Sequence, residues 1–169
     1  MNWLPLRSSL TQSGKVIAPV ALSLDNYYVD RDDTPRDEDG RPDFEALEAI
    51  HLPLFHEHLS RLLAGDAVLT PRFDFVTGSR RPESEWVEMR LGERQVLVVE
   101  GIHGLNPRLT QSVEPGSVFR IFISALSQLA IDDHNRIFTA DARLIRRIVR
   151  DHLFRGFTAE RTLDLWERV

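Results

Sequence analysis

Val20-Ala-Leu-Ser-Leu-Asp25 and Gln95-Val-Leu-Val-Val-Glu100 are the two stretches whose reading decides the fold. Each is a short, almost uninterrupted apolar run that ends in an acid. Neither shows the polar alternation of a half-exposed strand, so each predicts a strand in a sheet covered on both faces, and sheets of that kind are parallel. Parallel pairing would bring Asp25 and Glu100 out at one carboxyl edge, which is where open α/β sheets bind ligands. A third run, Val118-Phe-Arg-Ile-Phe-Ile-Ser124, predicts a further strand.

Between the first two strands, Phe55, Leu59, Leu62 and Leu63 fall at helical spacing within Asp43 to Gly65. Asp43 suits an N-cap, Gly65 a C-terminal stop, and Pro53 divides the segment by starting a second helix at its first turn. Ala67 to Val76, the turn Thr77-Gly-Ser-Arg80 and the amphipathic Trp86 to Leu91 predict a small excursion of strands and turns. Met1 to Ser13 predicts a leading helix, with Gly14 and Lys15 in the turn that follows. In the last third, Leu144, Ile145, Ile148, Val149 and Leu153 form one helical stripe, with Arg143, Arg146, Arg147 and Arg150 on the other side. Gly156 stops that helix and Thr158 caps the next. The charged stretch Asp30 to Gly40 predicts an exposed loop.

The chain has 169 residues, 42% hydrophobic and 28% charged, which fits one folded domain spanning residues 1–169. The absence of cysteine excludes a disulfide framework, a Cys-ligated metal and a thiol nucleophile. The six histidines show no metal-ligand spacing. A net charge of −5 argues against a sequence-blind grip on nucleic acid. No apolar run approaches the roughly 20 residues of a membrane span, and the amino-terminal residues do not form a secretion signal, so a cytoplasmic location without membrane contact is expected.

Asp25 and Glu100 suit a shared magnesium ion, or a division of labour in which one accepts a hydroxyl proton and the other holds the metal. Each also reads as a strand end, and on the residues alone the two readings stand level. The arginine series suits a clamp on phosphoryl oxygens, because guanidinium offers a fixed fork of donors. A solvated basic face is the alternative, with Asp141 and Asp151 neutralising part of it. Tyr27, Tyr28, Phe73 and Phe75, with Asp74 among them, suit a nucleobase and its ribose, or a core. Thr11-Gln-Ser-Gly-Lys15 imitates the end of a phosphate-binding P-loop, but Ser9 stands where the first glycine is needed and Val16 where Ser or Thr is needed.

In order and spacing, Ser23-Leu-Asp-Asn-Tyr-Tyr-Val-Asp30, Pro71-Arg-Phe-Asp-Phe-Val-Thr-Gly-Ser-Arg80, Leu97-Val-Val-Glu-Gly-Ile102 and Asp141-Ala-Arg-Leu-Ile-Arg-Arg-Ile-Val-Arg-Asp151 resemble the uridine kinase and phosphoribulokinase family of P-loop kinases. Ile131-Asp-Asp-His-Asn-Arg136 and Phe154-Arg-Gly156 resemble its bacterial uridine kinase-like branch. The resemblance implies a three-layer α/β P-loop kinase-like fold with a mostly parallel sheet, truncated at both ends, and a lid-like arginine helix over residues 138–157. It implies ATP and Mg2+, and a nucleoside or other small hydroxyl compound as phosphate acceptor. Asp25 then matches the acid that accepts the hydroxyl proton and approaches the metal, and Glu100 the acid after the second catalytic strand. Tyr28, Asp43 and Phe73 match positions that hold base and ribose, while Arg147, Arg150 and Arg155 match the arginines of a mobile phosphate lid. Gly78 stands where a base-contacting histidine is usual and Phe157 where a further lid arginine is usual, so the resemblance does not fix a uridine or cytidine preference.

No Gly-x-x-x-x-Gly-Lys-Ser/Thr occurs in these residues, so the ATP cradle is expected to be missing and turnover to be impaired. A non-catalytic nucleoside- or phosphate-binding remnant and a fragment of a longer active kinase stand as alternatives. An open sheet edge predicts pairing with another chain, a homo-oligomer included.

Overall fold

The computed structural model describes residues 10–12, 15–123, 132–133 and 136–166, and the chain divides into two compact units, residues 2–121 and residues 122–169. In the first unit, β1 (Leu10–Gln12) pairs antiparallel with β2 (Lys15–Ser23), and β2 pairs parallel with a later strand, β7 (Gln95–Glu100). The α/β class and the parallel pairing of the two decisive stretches are therefore as expected. Register runs from Ala18 opposite Gln95 to Ser23 opposite Glu100.

The leading helix is corrected at residues 10–12. Lys15 to Ile17 run past the start of β7, and the strand β1 is their ladder partner. Met1 to Ser9, Ser13 and Gly14 lie outside the described residues.

The core lies on one face of the sheet. Leu22, Leu24 and Tyr27 meet Leu47, Ile50, Val68 and Leu109 and the inward residues Phe55, Leu59 and Leu62 of helix α1 (Leu52–Leu63). Leu97 and Val99 pack against this cluster, whereas Val96 and Val98 are 42% and 38% exposed. Within this unit the two faces of β7 therefore differ in exposure. The continuous apolar run conceals a strand whose alternate residues lie in different surroundings.

Helix α1 starts where Pro53 was expected to start one. His51 caps it by accepting the Leu54 N–H at Nδ1 (3.2 Å), and Gly65 leaves it at φ +86°. Asp43 caps no helix, a second correction. Its Oδ1 accepts the N–H groups of Glu45 (2.9 Å) and Ala46 (3.1 Å), a local turn that competes with helix. After a single 3₁₀ turn, Leu47–Ala49, burial of Leu47, Ala49 and Ile50 holds the segment against the core, and Ile50 bridges to Tyr28.

The excursion forms as two antiparallel pairs, β3 (Val68–Thr70) with β6 (Val87–Met89), and β4 (Phe73–Asp74) with β5 (Ser79–Arg80). Val118 to Ile123 is not a strand, and Phe119 is 88% exposed; Ser124 lies outside the described residues. A strand requires a ladder, and among the described residues nothing pairs with this run.

The second unit contains α2 (Thr139–Arg155) and α3 (Ala159–Trp166). Gly156 ends α2 at φ +65°, and the Thr158 hydroxyl accepts the Arg161 N–H (3.2 Å) at the start of α3, both as expected. On α2, Ile145, Val149 and Leu153 are exposed and Leu144 and Ile148 half-buried; Arg143 and Arg146 are exposed, while Arg147, Arg150 and Arg155 are drawn toward the buried Asp151. Among the described residues no helix is long and apolar enough to cross a membrane.

Candidate functional site

The edge at the end of β2 and β7 is built by main-chain register. Ser23 lies opposite Glu100, so Glu100 is the last residue of its strand and Asp25 follows two residues beyond its partner, in the first turn of the 3₁₀ segment Leu24–Tyr27. The chain leaves β7 tightly there. Gly101 has φ +148°, and a Cβ at that position would lie 2.8 Å from the Cβ of Leu24, next to Asp25. A side chain at 101 would push the two exits apart, so glycine serves the close approach of backbone to core.

Below the edge, Tyr27 is fully buried. Its hydroxyl shares a 3.0 Å hydrogen bond with His58 Nδ1, and its ring meets Phe55 edge to face at 5.3 Å. Burial pushes the Tyr27 phenol well above its usual range and holds the His58 imidazole below its usual value. Tyr27 is thereby a core residue that fixes the turn carrying Asp25, rather than a ligand contact.

Tyr28, the next residue, belongs to an aromatic group. Its ring centroid lies 5.8 Å from Phe73 and 6.4 Å from Phe75, and those two are 5.1 Å apart. The Tyr28 hydroxyl donates to the Phe44 carbonyl (3.4 Å), which brings the residue after Asp43 to the same group. Tyr28 and Phe73 thus share one aromatic group, while the Asp43 carboxylate turns to the Glu45 and Ala46 N–H groups of its own loop. The Asp74 carboxylate between the phenylalanines is held below the usual carboxylate range, first by the Val76 N–H, then by the Thr77 N–H and Arg81.

The positioning contacts of three residues, Asn26, Arg80 and Arg31, have no local sequence signal. Asn26 Oδ1 accepts the Phe73 N–H (3.3 Å), tying the Asp25 turn to the β4–β5 hairpin. Arg80 donates its backbone N–H to Asp30 Oδ1 (2.8 Å) and its Nη2 to the Tyr28 carbonyl (3.3 Å). Arg31 lies over Gly78, where its guanidinium carbon would be 2.6 Å from an added Cβ. All three span 47 or more residues of sequence, which is why periodicity and motif reading pass over them.

The arginines are described within their own unit. Arg150 donates from Nε to Asp151 Oδ1 (3.0 Å), Arg155 Nη1 lies 3.4 Å from the same oxygen, and Arg147 Nε lies 3.6 Å from Oδ2. Arg147 also lies 5.9 Å from the Trp166 ring centroid, and at Phe157 the Arg161 guanidinium covers the ring at 4.0 Å. The partial neutralisation expected of Asp151 is therefore its main contact.

Chemically, the edge offers two hard oxygen ligands. Among the described residues no group of three or more acids or histidines gathers as a metal cage. Two carboxylates nevertheless fit Mg2+, which retains waters and takes one or two protein carboxylates with substrate phosphates.

The model of the phosphoribulokinase/uridine kinase family matches residues 6–169. A uridine kinase of Chloroflexus aggregans is 34% identical over 143 residues, covering 85% of this chain and 59% of that protein. Uridine kinases of Halobacterium salinarum and Leuconostoc citreum are 29% and 28% identical, covering 85% and 92% of this chain and 55% and 63% of those proteins. The chain thus spans less than two thirds of the length of these relatives. With its parallel β2–β7 pair and a match over nearly its whole length, the chain belongs to the phosphoribulokinase/uridine kinase family.

Proposed function

We propose that this polypeptide carries the acceptor side of an ATP-dependent nucleoside kinase, which transfers a phosphoryl group to a nucleoside hydroxyl. The observation that carries the reading is the Ser23–Glu100 register: it sets both strand-end acids at one edge, with the aromatic group three residues further on. Asp25 accepts the proton of the attacking hydroxyl, a role suited to a carboxylate on a rigid turn next to the acceptor. Glu100, with Asp25, would hold Mg2+, which when bound neutralises charge on the phosphate oxygens. Tyr28 and Phe73 take the base by stacking, and Asp43 takes a ribose hydroxyl as acceptor. Arg147, Arg150 and Arg155 bind phosphoryl oxygens through charge-assisted hydrogen bonds. These 169 residues contain no glycine-rich phosphate turn, so we expect their turnover to be slow and nucleoside binding to be the firmer readout.

The test compares the chain with Asp25→Asn in nucleoside binding and in ATP-dependent phosphorylation across a nucleoside panel. Binding should agree between the two within about twofold, while turnover falls by about 10²- to 10⁴-fold in the variant. An Asp25→Asn protein as active as the parent would remove Asp25 from its role. A parent that binds no nucleoside and phosphorylates none would end the kinase reading of this chain.

A further inference from the structure

Asp151 has no place in the proposed reaction, yet it is buried against three arginines. Its side chain is 1% exposed and has arginines one residue before it, four before it and four after it within 4 Å. Two main-chain N–H groups, of Gly156 and Phe157, donate to its carbonyl, which locks the residue into the end of α2. Its Oδ2 is buried and accepts no hydrogen bond, and Arg147 Nε, 3.6 Å away, makes none either. A buried ion pair with an unfilled hydrogen bond is a poor source of stability, because desolvation offsets most of the attraction. Three guanidiniums on two turns of one helix also repel one another, and would spread apart in water without a shared anion.

We propose that Asp151 is a positioning residue: its buried carboxylate gathers Arg147, Arg150 and Arg155 into one preassembled cationic fork for a ligand with several phosphate groups. The inference rests on the reading of these arginines as the phosphate clamp. Arg150 meets the carboxylate through Nε and Nη2, Arg147 through Nε and Arg155 through Nη1, so the carboxylate faces only part of the five N–H donors of each guanidinium. Holding the side chains beforehand removes ordering cost from binding. A ligand that engages several arginines at once gains most, and a single phosphate, which one fork can satisfy, gains least.

The experiment measures binding of inorganic tripolyphosphate and of inorganic phosphate to the chain at about 0.15 M salt, where the screening length is about 8 Å. Asp151→Asn should weaken tripolyphosphate about tenfold and change inorganic phosphate by less than about twofold. Loss of α2 structure would weaken both ligands in parallel, and that outcome overturns the positioning role, as does an unchanged affinity. Tighter tripolyphosphate binding by Asp151→Asn would show Asp151 competing with the ligand, and overturns it too. If Asp151→Asn does not fold, Asp151→Glu decides: the longer side chain displaces the fork and should weaken tripolyphosphate several-fold, whereas parental affinity overturns the proposal. An Arg147→Gln/Arg150→Gln protein that binds tripolyphosphate as the parent does would overturn the clamp reading and this inference with it. Loss of binding in that double variant together with parental binding in Asp151→Asn would overturn this inference alone.

Discussion

At the sheet edge, Asp25 and Glu100 stand where main-chain pairing between β2 and β7 puts them, whereas in the helical unit Arg147, Arg150 and Arg155 stand where one buried carboxylate draws them. The first arrangement depends on packing beneath a ladder: Leu22, Leu24, Tyr27 and Phe55 support the turn, and no ion pair is required. The second depends on charge, with exposed apolar residues on the same helix. The difference teaches that the same chemical aim, several ionic groups near one another, can be reached through backbone geometry or through a counter-ion, and that the two respond to different perturbations. Packing is insensitive to salt and sensitive to lost volume; a charge cluster behaves the other way round.

The largest effect expected is from Phe55→Ala. Phe55 is fully buried beneath Tyr27, so truncation should cost about 3–5 kcal/mol in urea unfolding. The loss should be the same at about 0.1 M and 1 M sodium chloride, across which the screening length falls from about 10 to about 3 Å. A strongly salt-dependent loss would break the comparison by showing that the edge, too, is held by charge.

A smaller effect should come from Gly101→Ala, which sets a Cβ against Leu24 in a conformation that favours glycine, and should cost about 1–3 kcal/mol. In a Leu24→Ala background the cost should shrink, because the colliding side chain has been shortened. Equal costs in both backgrounds would place the strain elsewhere than in the contact between the two strand exits.

The smallest effect should follow pH. Burial disfavours the charged form of His58, so its folded value lies below the ordinary value of about 6.5. The unfolded chain then binds the proton more readily, and stability falls as pH drops below about 6.5, until the folded imidazole is also protonated. NMR titration of the His58 ring should show a midpoint below the ordinary value, and a raised midpoint would contradict the packing account.

Much of the edge was legible in the sequence because its signals are local. Apolar runs mark β2 and β7, Pro53 and Gly65 bound α1, and Gly156 ends α2. Tyr28 and Phe73 were legible as an aromatic set, though which of Tyr27 and Tyr28 is core was not. Asp43 misled because a short carboxylate serves a turn as readily as a helix cap. Val118 to Ile123 misled because its composition favours a strand while the ladder must come from elsewhere in the chain.

By itself the sequence determined β2, β7, α1 and α2 and the order of the acids, aromatics and arginines, since these depend on periodicity, turn residues and chain order. Only the tertiary structure decided that Leu97 and Val99 face the core while Val96 and Val98 do not, that Asn26 and Arg80 tie the Asp25 turn to a hairpin, and that three arginines turn toward Asp151. The reason is physical: helix and strand preferences are written within a few residues, whereas burial, ladder partners and the pairing of charges are settled by groups that meet only once the chain has folded.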